Sequence, residues 1–350
     1  MKPTWKRLSN ILLTSTLALG LTACGAGTST TSTGTPEQGS AAEPAASSQT
    51  PTELTVALDW YPNAVHSFLY AAEEQGYFKE ENLKVNLQMP SDANDPLKMV
   101  AAGQVDLAIS YQTTMVQARS ESVPVVSIAA LVREPLNIIM TREDSGLTSP
   151  KQLEGKNIGY PSVPIDEQKV REVVKADGGD AGKLTFTDIG FDIVPALTGK
   201  KVDAVVGGYI NHEKLILEKN GIPVNVFKPS DFGVPNYYEL VLATSDATLE
   251  KKKDALQAFV RAAAKGQDYV EQNKEAALKS LLDKQSSEFP LEADIEKQSL
   301  DILIPLMDAG DKAFGYQKKE DWEQLIKWMK EKQLIGKDVV VDEVMKNVVE

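Results

Sequence analysis

The chain has one cysteine, Cys24, and two histidines, His66 and His212, in 350 residues. A single cysteine excludes an intramolecular disulfide, and so few His and Cys leave no cluster at metal-ligand spacing. Positive charge is also short. Lys and Arg number 37 against 50 Asp and Glu, a net charge of −13, so nucleic acid is excluded as a partner. There is no G-x-x-x-x-G-K-[ST] phosphate loop, and Gly207-Gly208 does not fit G-x-G-x-x-G. Ser110 and Ser162 lack a His and an Asp at a spacing that marks an activated nucleophile. No repeat of fixed period occurs, and no hydrophobic run after the first is long enough to span a membrane. Catalytic signals are therefore thin, and no cofactor is expected.

What is present begins with a processing segment. Lys2, Lys6 and Arg7 precede an apolar stretch at 8–21 that ends in Leu21-Thr22-Ala23-Cys24. That is the layout of a secretory signal, too short for a membrane span. A small residue just before the only cysteine resembles a bacterial lipobox. Residues 1–23 are then a lipoprotein signal peptide, and Cys24 carries the lipid anchor. Several acyl chains, as such lipoproteins carry, anchor stably where one would not. Residues 24–52 are rich in Ser, Thr, Gly, Ala and Pro and have almost no large apolar side chain. They have too little to bury and read as a disordered tether between membrane and folded chain.

The remainder is long enough, at 42% hydrophobic overall, to bury a sizeable core in about two domains. Strand and helix signals alternate along it. Strands are expected at 54–58, 84–88, 106–110, 124–132 and 137–141, with helices at 64–75, 95–102 and 113–119. A second batch has a helical turn at 150–153 and strands at 156–160, 184–189, 202–206, 223–227 and 238–243. Its helices are expected at 165–176, 193–197 and 211–219. From 249 the chain is helical, with Ala255, Phe259, Ala262, Gly266 and Tyr269 on one apolar stripe. The fold class is α/β, with two lobes, each a parallel-rich sheet with covering helices. Extended crossovers are expected near 141–147 and 234–240, which assigns 53–141 and 238–350 to lobe I and 142–237 to lobe II.

One stretch, 58–78, is crowded with functional side chains. A short apolar strand runs into Asp59-Trp60-Tyr61-Pro62-Asn63, and a helix follows. Pro62 discourages helix at Tyr61, and Asn63 is a good N-cap. Val65, Phe68, Leu69 and Ala72 then form an apolar helical face. In open α/β sheets ligands bind at such strand ends. The other strand ends carry Ser110-Tyr111-Gln112, Tyr160, and Tyr209 with Asn211 and Glu213, while Asn236-Tyr237-Tyr238 lies between the lobes. Aromatics are only 7% of the chain, yet nearly every strand end has one. A cleft walled by Trp and Tyr suits a flat ring, and Asp59 and Glu213 would accept its N–H groups. Each residue also has a plain structural use. A strand-end Tyr packs a lobe, Asn63 and Asn211 are ordinary N-caps, Glu213 suits a helix dipole, and His66 at the third helical position is a structural His.

The segments LDWYPNAVHSFLYAAEEQGYFKEENL, DPLKMVAAGQVDLAISYQ, SPKQLEGKNIGYP and VDAVVGGYINHEKLILEKNG resemble the solute-binding proteins of the pyrimidine-precursor group. That group includes the formylaminopyrimidine-binding protein of the thiamine-precursor ABC importer and the fungal enzyme that makes the thiamine pyrimidine. The resemblance covers about 53–245, and D-W-x-P-N and G-Y-x-x-H-E are its specific pieces. It implies a type II periplasmic-binding fold with two crossovers and a cleft lined by Asp59, Trp60, Tyr111, Tyr209 and Glu213. Tyr160 is a further candidate, and Asn63, His66, Asn211 and Tyr237 complete the expected ligand-binding set. The chain departs from the family pattern at Ala64-Val65-His66-Ser67, where Thr-Asn-His-Thr is expected, and keeps the histidine.

The implied function is that of a monomeric extracytoplasmic receptor, tethered to the bacterial cell membrane, whose lobes close by a hinge on a thiamine-precursor pyrimidine. The closed form then docks on an ABC permease. Two alternatives stand beside it. One is another flat heterocycle such as riboflavin. The other is an enzyme like the fungal synthase, which consumes its own histidine and binds pyridoxal phosphate through lysine. No lysine lies between Leu54 and His66, and the synthase's cysteine-rich stretch has no counterpart. Sulfonate and nitrate, bound by sister groups, would face Asp59 and Glu213 across a gap of low dielectric.

Overall fold

The computed structural model describes residues 50–349. The signal segment, Cys24 and the expected tether up to residue 49 lie outside the described residues. The strands form two five-stranded sheets. The first contains β1 (Thr52–Ala57), β2 (Leu83–Gln88), β3 (Leu107–Ser110), β4 (Val125–Val132) and β10 (Leu240–Ser245), in the order β2-β1-β3-β10-β4. The second contains β5 (Asn137–Arg142), β6 (Asn157–Tyr160), β7 (Thr185–Asp188), β8 (Ala204–Tyr209) and β9 (Val224–Phe227), in the order β7-β6-β8-β5-β9. Every residue of β4 is buried, the continuous apolar run of a strand covered on both faces.

The two sheets follow one plan. Three strands pair in parallel, β2-β1-β3 and β7-β6-β8. The next strand is antiparallel to both of its neighbours, β10 between β3 and β4, and β5 between β8 and β9. In each case that strand is the first one the chain makes after crossing from the other sheet. The crossings run through 133–136 and 228–239. The architecture is thus two α/β lobes joined by two crossovers. One expectation is corrected. Residues 137–141 were expected in the first lobe, but β5 hydrogen-bonds only into the second sheet. An apolar β-branched run reveals a strand, not the sheet that receives it.

At the crowded junction a 3-10 turn, Ala64–His66, precedes the helix Ser67–Glu74 in place of one continuous helix. Asn63 causes the break. Its side chain accepts the Val65 N–H at 3.0 Å while its own N–H donates to His66 Nδ1 at 3.2 Å, a reciprocal cap. Val65, Phe68, Leu69 and Ala72 are buried in the first lobe's core. The second expected cap is corrected. The helix Glu213–Lys219 begins two residues later than expected, and Asn211 instead donates to Ser299 Oγ at 2.8 Å.

The helical tail returns to the first sheet. Ser245 caps the helix Asp246–Gln272, its hydroxyl accepting the Thr248 N–H at 3.1 Å. That helix packs against Ser67–Glu74 closely enough to need a glycine. A Cβ on Gly266 would overlap the carbonyl oxygen of Phe68 and stand 2.9 Å from Ala72 Cβ. Alanine is the better helix former, so propensity alone predicts stabilisation. Gly266→Ala is expected instead to destabilise by about 1–3 kcal/mol through overpacking, read as a lower urea midpoint at unchanged slope.

Candidate ligand-binding cleft

The carboxyl ends of β1 and β3 face those of β6 and β8 across a narrow cavity. From the first lobe come Asp59, Trp60, Asn63, Tyr111 and Thr113. From the second come Pro161, Asp166, Lys169, Gly207, Tyr209 and Glu213, with Asn137 and Glu239 at the crossovers. Gly207 has φ +87° and its Cβ position is filled by the Pro161 ring, so two strand ends of the second lobe approach each other here as only glycine allows.

Asp59 is held from behind. His66 is fully buried, and its Nε2 lies 2.9 Å from Asp59 Oδ1. Because the Asn63 N–H can only donate, His66 Nδ1 accepts, and Nε2 carries the proton given to Asp59. His66 is therefore not on the cleft wall as expected; it orients the carboxylate that is.

The second lobe builds a longer network. Glu213 accepts the Tyr209 N–H at 2.8 Å with one oxygen and meets His212 Nδ1 at 2.8 Å with the other. Burial opposes the charge on Glu213, but His212 and the backbone donor outweigh it and hold the carboxyl below its usual range. Lys169, 2% exposed, forms a 2.6 Å ion pair with Asp166 and donates to the Tyr237 hydroxyl at 3.4 Å. Burial works against this ammonium too, yet Asp166, Tyr237 and Glu239 keep it above its ordinary value. Glu239 accepts the Leu136 and Asn137 N–H groups at 2.7 and 2.9 Å. Burial lifts its carboxyl above the usual range against those donors and Lys169. Burial, followed by the neighbouring acids, raises the phenols of Tyr111 and Tyr209 well above normal, so both are neutral hydroxyls.

Six of the expected residues line the cavity: Asp59, Trp60, Asn63, Tyr111, Tyr209 and Glu213. The other four do not. His66 stands behind Asp59, and Asn211 is turned to Ser299. Tyr160 is half-buried with its ring against Phe186 at 6.3 Å. Tyr237 lies beneath Lys169 and faces a crevice behind the crossovers. Asn137, Asp166, Lys169, His212 and Glu239 were missed. Lys169 had a signal, since it shares a helical face with Ile165 and Val173 in the helix Pro164–Ala176, where a charge needs a buried partner.

The lobes meet around the cavity. Phe191 of the second lobe sets its ring edge-on to Trp60, centroids 4.4 Å apart. Phe191 also meets Tyr61 and Phe289, which stack on each other within the first lobe at 4.7 Å and 3°. Trp60 Nε1 and Thr113 Oγ1 are buried with no hydrogen-bond partner among the described residues.

This fold and cleft define a substrate-binding protein of the periplasmic-binding type. The two-lobed architecture matches the alkanesulfonate-binding protein of Xanthomonas axonopodis pv. citri with a TM-score of 0.68 at 13% identity, over 86% of this chain and 100% of that one. The chain belongs to the NMT1/THI5-like family, whose model matches residues 63–277. It is 41% identical over 296 residues to the formylaminopyrimidine-binding protein of Halalkalibacterium halodurans, covering 84% of this chain and 90% of that one. It is also 28% identical over 243 residues to the 4-amino-5-hydroxymethyl-2-methylpyrimidine phosphate synthase of Aspergillus parasiticus, covering 66% of this chain and 70% of that one.

The buried pair makes a stability prediction. Lys169→Met removes the cation and leaves Asp166 unpaired, which is expected to cost about 3–5 kcal/mol, measured by urea denaturation at neutral pH.

Proposed function

We propose that this protein is the extracytoplasmic receptor of an ABC importer for a thiamine-precursor pyrimidine of the formylaminopyrimidine or hydroxymethylpyrimidine type. Cys24 bears the lipid anchor, the lobes close on the ligand by bending at the crossovers, and the closed monomer docks on the permease. The observation that carries the reading is the make-up of the cavity. Three aromatic residues, Trp60, Tyr111 and Tyr209, share it with two carboxylates from opposite lobes, Asp59 and Glu213. Flat faces suit a ring, and fixed anionic acceptors suit its ring and exocyclic N–H groups. The likeness to a formylaminopyrimidine-binding protein supports the same class.

Charge weighs against the ligand of the structural neighbour. Asp59, Asp166, Glu213 and Glu239 line the cavity, and its lining cations, Lys169 and His212, are already paired with acids. A sulfonate would enter a carboxylate-rich space of low dielectric. The synthase reading is weakened as well. An imine-forming lysine needs a neutral amine, and Lys169 is held as an ammonium by Asp166. A yellow colour from a lysine-bound pyridoxal phosphate in the purified protein would reverse this ranking.

A thermal-shift screen tests the reading. Hydroxymethylpyrimidine, formylaminopyrimidine, thiamine, riboflavin, taurine and nitrate are the arms. A ligand at a hundred times its Kd stabilises by about 2.7 kcal/mol. The two precursor pyrimidines are expected to shift the melting temperature; a shift with riboflavin or taurine alone overturns the assignment. Trp60→Ala and Tyr209→Ala are each expected to weaken pyrimidine binding by roughly 1–3 kcal/mol in calorimetry. Glu213→Gln is expected to weaken an aminopyrimidine more than an analogue lacking the amino group. Equal losses would make Glu213 only a helix-start acid.

A further inference from the structure

His212 stands in a position that ligand contact alone does not explain. Its two ring nitrogens meet carboxylates from different lobes. Nδ1 is 2.8 Å from Glu213 Oε1 in its own lobe, and Nε2 is 3.2 Å from Glu296 Oε1. Glu296 belongs to the helix Ala293–Met307 of the returning tail, which packs on the Ala64–His66 turn of the first lobe. Its other oxygen accepts the Ala64 N–H at 2.7 Å, one residue beyond Asn63 of the cleft. The side chains of His212, Glu213 and Glu296 are 4%, 6% and 1% exposed. Neighbouring contacts cross in the same place. Asn211 reaches Ser299, and Lys219 pairs with Glu292 and Asp294 at the rim.

We propose that His212 is a positioning residue that couples lobe closure to the orientation of Glu213, with Glu296 as the contact that completes it from the opposite lobe. The proposal rests on the receptor reading and deepens it by naming what holds the closed cleft. In the open state His212 has only Glu213. Closure brings Glu296 to Nε2, and the imidazole becomes doubly paired while Glu213 is fixed with one oxygen on His212 and the other on the Tyr209 N–H. The groups facing His212 are otherwise Tyr61, at 5.8 Å between ring centroids, and Glu288 and Glu292 in the same crevice.

The pH dependence follows from this geometry. Burial disfavours the imidazolium, but Glu213, Tyr61 and Glu296 more than reverse that, and the group sits well above the ordinary His value in the closed form. A raised value means that closure is favoured most strongly below the open-state value and loses this support as pH rises through the closed-state value. Between the open-state and closed-state values, closure takes up a proton. On the acid side, Glu213 is held below its usual range, so its contribution persists until pH falls through that lowered value.

Calorimetry of the full chain with hydroxymethylpyrimidine, in two buffers of different ionisation heat at pH 6 and pH 8.5, tests the coupling. Wild type is expected to bind more weakly at the higher pH and to take up protons there. Glu296→Gln keeps an acceptor for the Ala64 N–H but removes the charge. It is expected to bind about 10- to 100-fold more weakly at pH 6, as for loss of a charged hydrogen bond, with a flatter pH profile and less proton uptake. His212→Gln is expected to match it, and the double variant to add little. Wild-type affinity and proton uptake in Glu296→Gln, with binding still lost in Trp60→Ala, would overturn the coupling and leave the receptor reading intact. If no pyrimidine binds wild type, the receptor reading fails, and the latch is read from the histidine NMR titration. The chain has only two histidines. A lower His212 midpoint in Glu296→Gln supports the contact, and an unchanged midpoint overturns it.

Discussion

A carboxylate taken out of water has to be given partners, and the space between the two sheets contains several. Asp59, Asp166, Glu213, Glu239 and Glu296 are all buried there. Each is met by a specific donor. His66 meets Asp59, Lys169 meets Asp166, His212 meets Glu213 and Glu296, and the Leu136 and Asn137 backbone meets Glu239. Unpaired, any of these charges would either destabilise the fold or take up a proton. The pairing explains several local choices at once. His66 is held as a neutral donor by the Asn63 backbone, Lys169 sits on an otherwise apolar helical face, and the second crossover passes Glu239 beside the start of β5.

In the proposed receptor, the same pairing separates what the cleft presents to a ligand from what holds it up. Trp60, Tyr111 and Tyr209 offer faces and hydroxyls. Asp59 and Glu213 offer acceptors whose directions are set from behind. The residues that set them, His66 and His212, are buried and are the chain's only histidines. A histidine beside a cleft invites a catalytic role, but these two have their ring nitrogens occupied by backbone or carboxylate partners. They are used as rigid spacers with two hydrogen-bonding ends.

Much of this was legible in the sequence, and what was not has a physical cause. Strand ends carrying Asp59, Trp60, Tyr111, Tyr209 and Glu213 stood out because polar and aromatic residues follow apolar runs, and the cavity is lined by all of them. Asn63 read as a cap and caps. Asn211 read as a cap and does not, because Ser299, 88 positions away, offers its amide a buried partner. Tyr160 follows the same local pattern as Tyr111, and Tyr237 lies in the second crossover, but both face other surfaces. Local pattern gives a residue's distance from a strand end, not its direction. Asp166 and Lys169 pair one helical turn apart, but what buries them, Asn137 and Tyr237, comes from elements distant in the chain, as do the Leu136 and Asn137 donors of Glu239. The assignment of 137–141 failed for a related reason, since strand propensity carries no address.

The return of β10 to the first sheet has a consequence for how the chain comes to be folded. In the finished protein β3 is an interior strand, flanked by β1 and β10. While the chain is being made or passed across a membrane, residues 107–110 emerge long before residues 240–245, and the edge that β10 will cover stays bare in between. An apolar strand with an open edge invites the wrong neighbour. The second sheet has the opposite history, since β5 is made before β8 and β9 and waits for both. The five strands of the second sheet all lie within residues 137–227, whereas the first sheet needs β10 from beyond them, so the first lobe can close its sheet only after the whole of the second has been made.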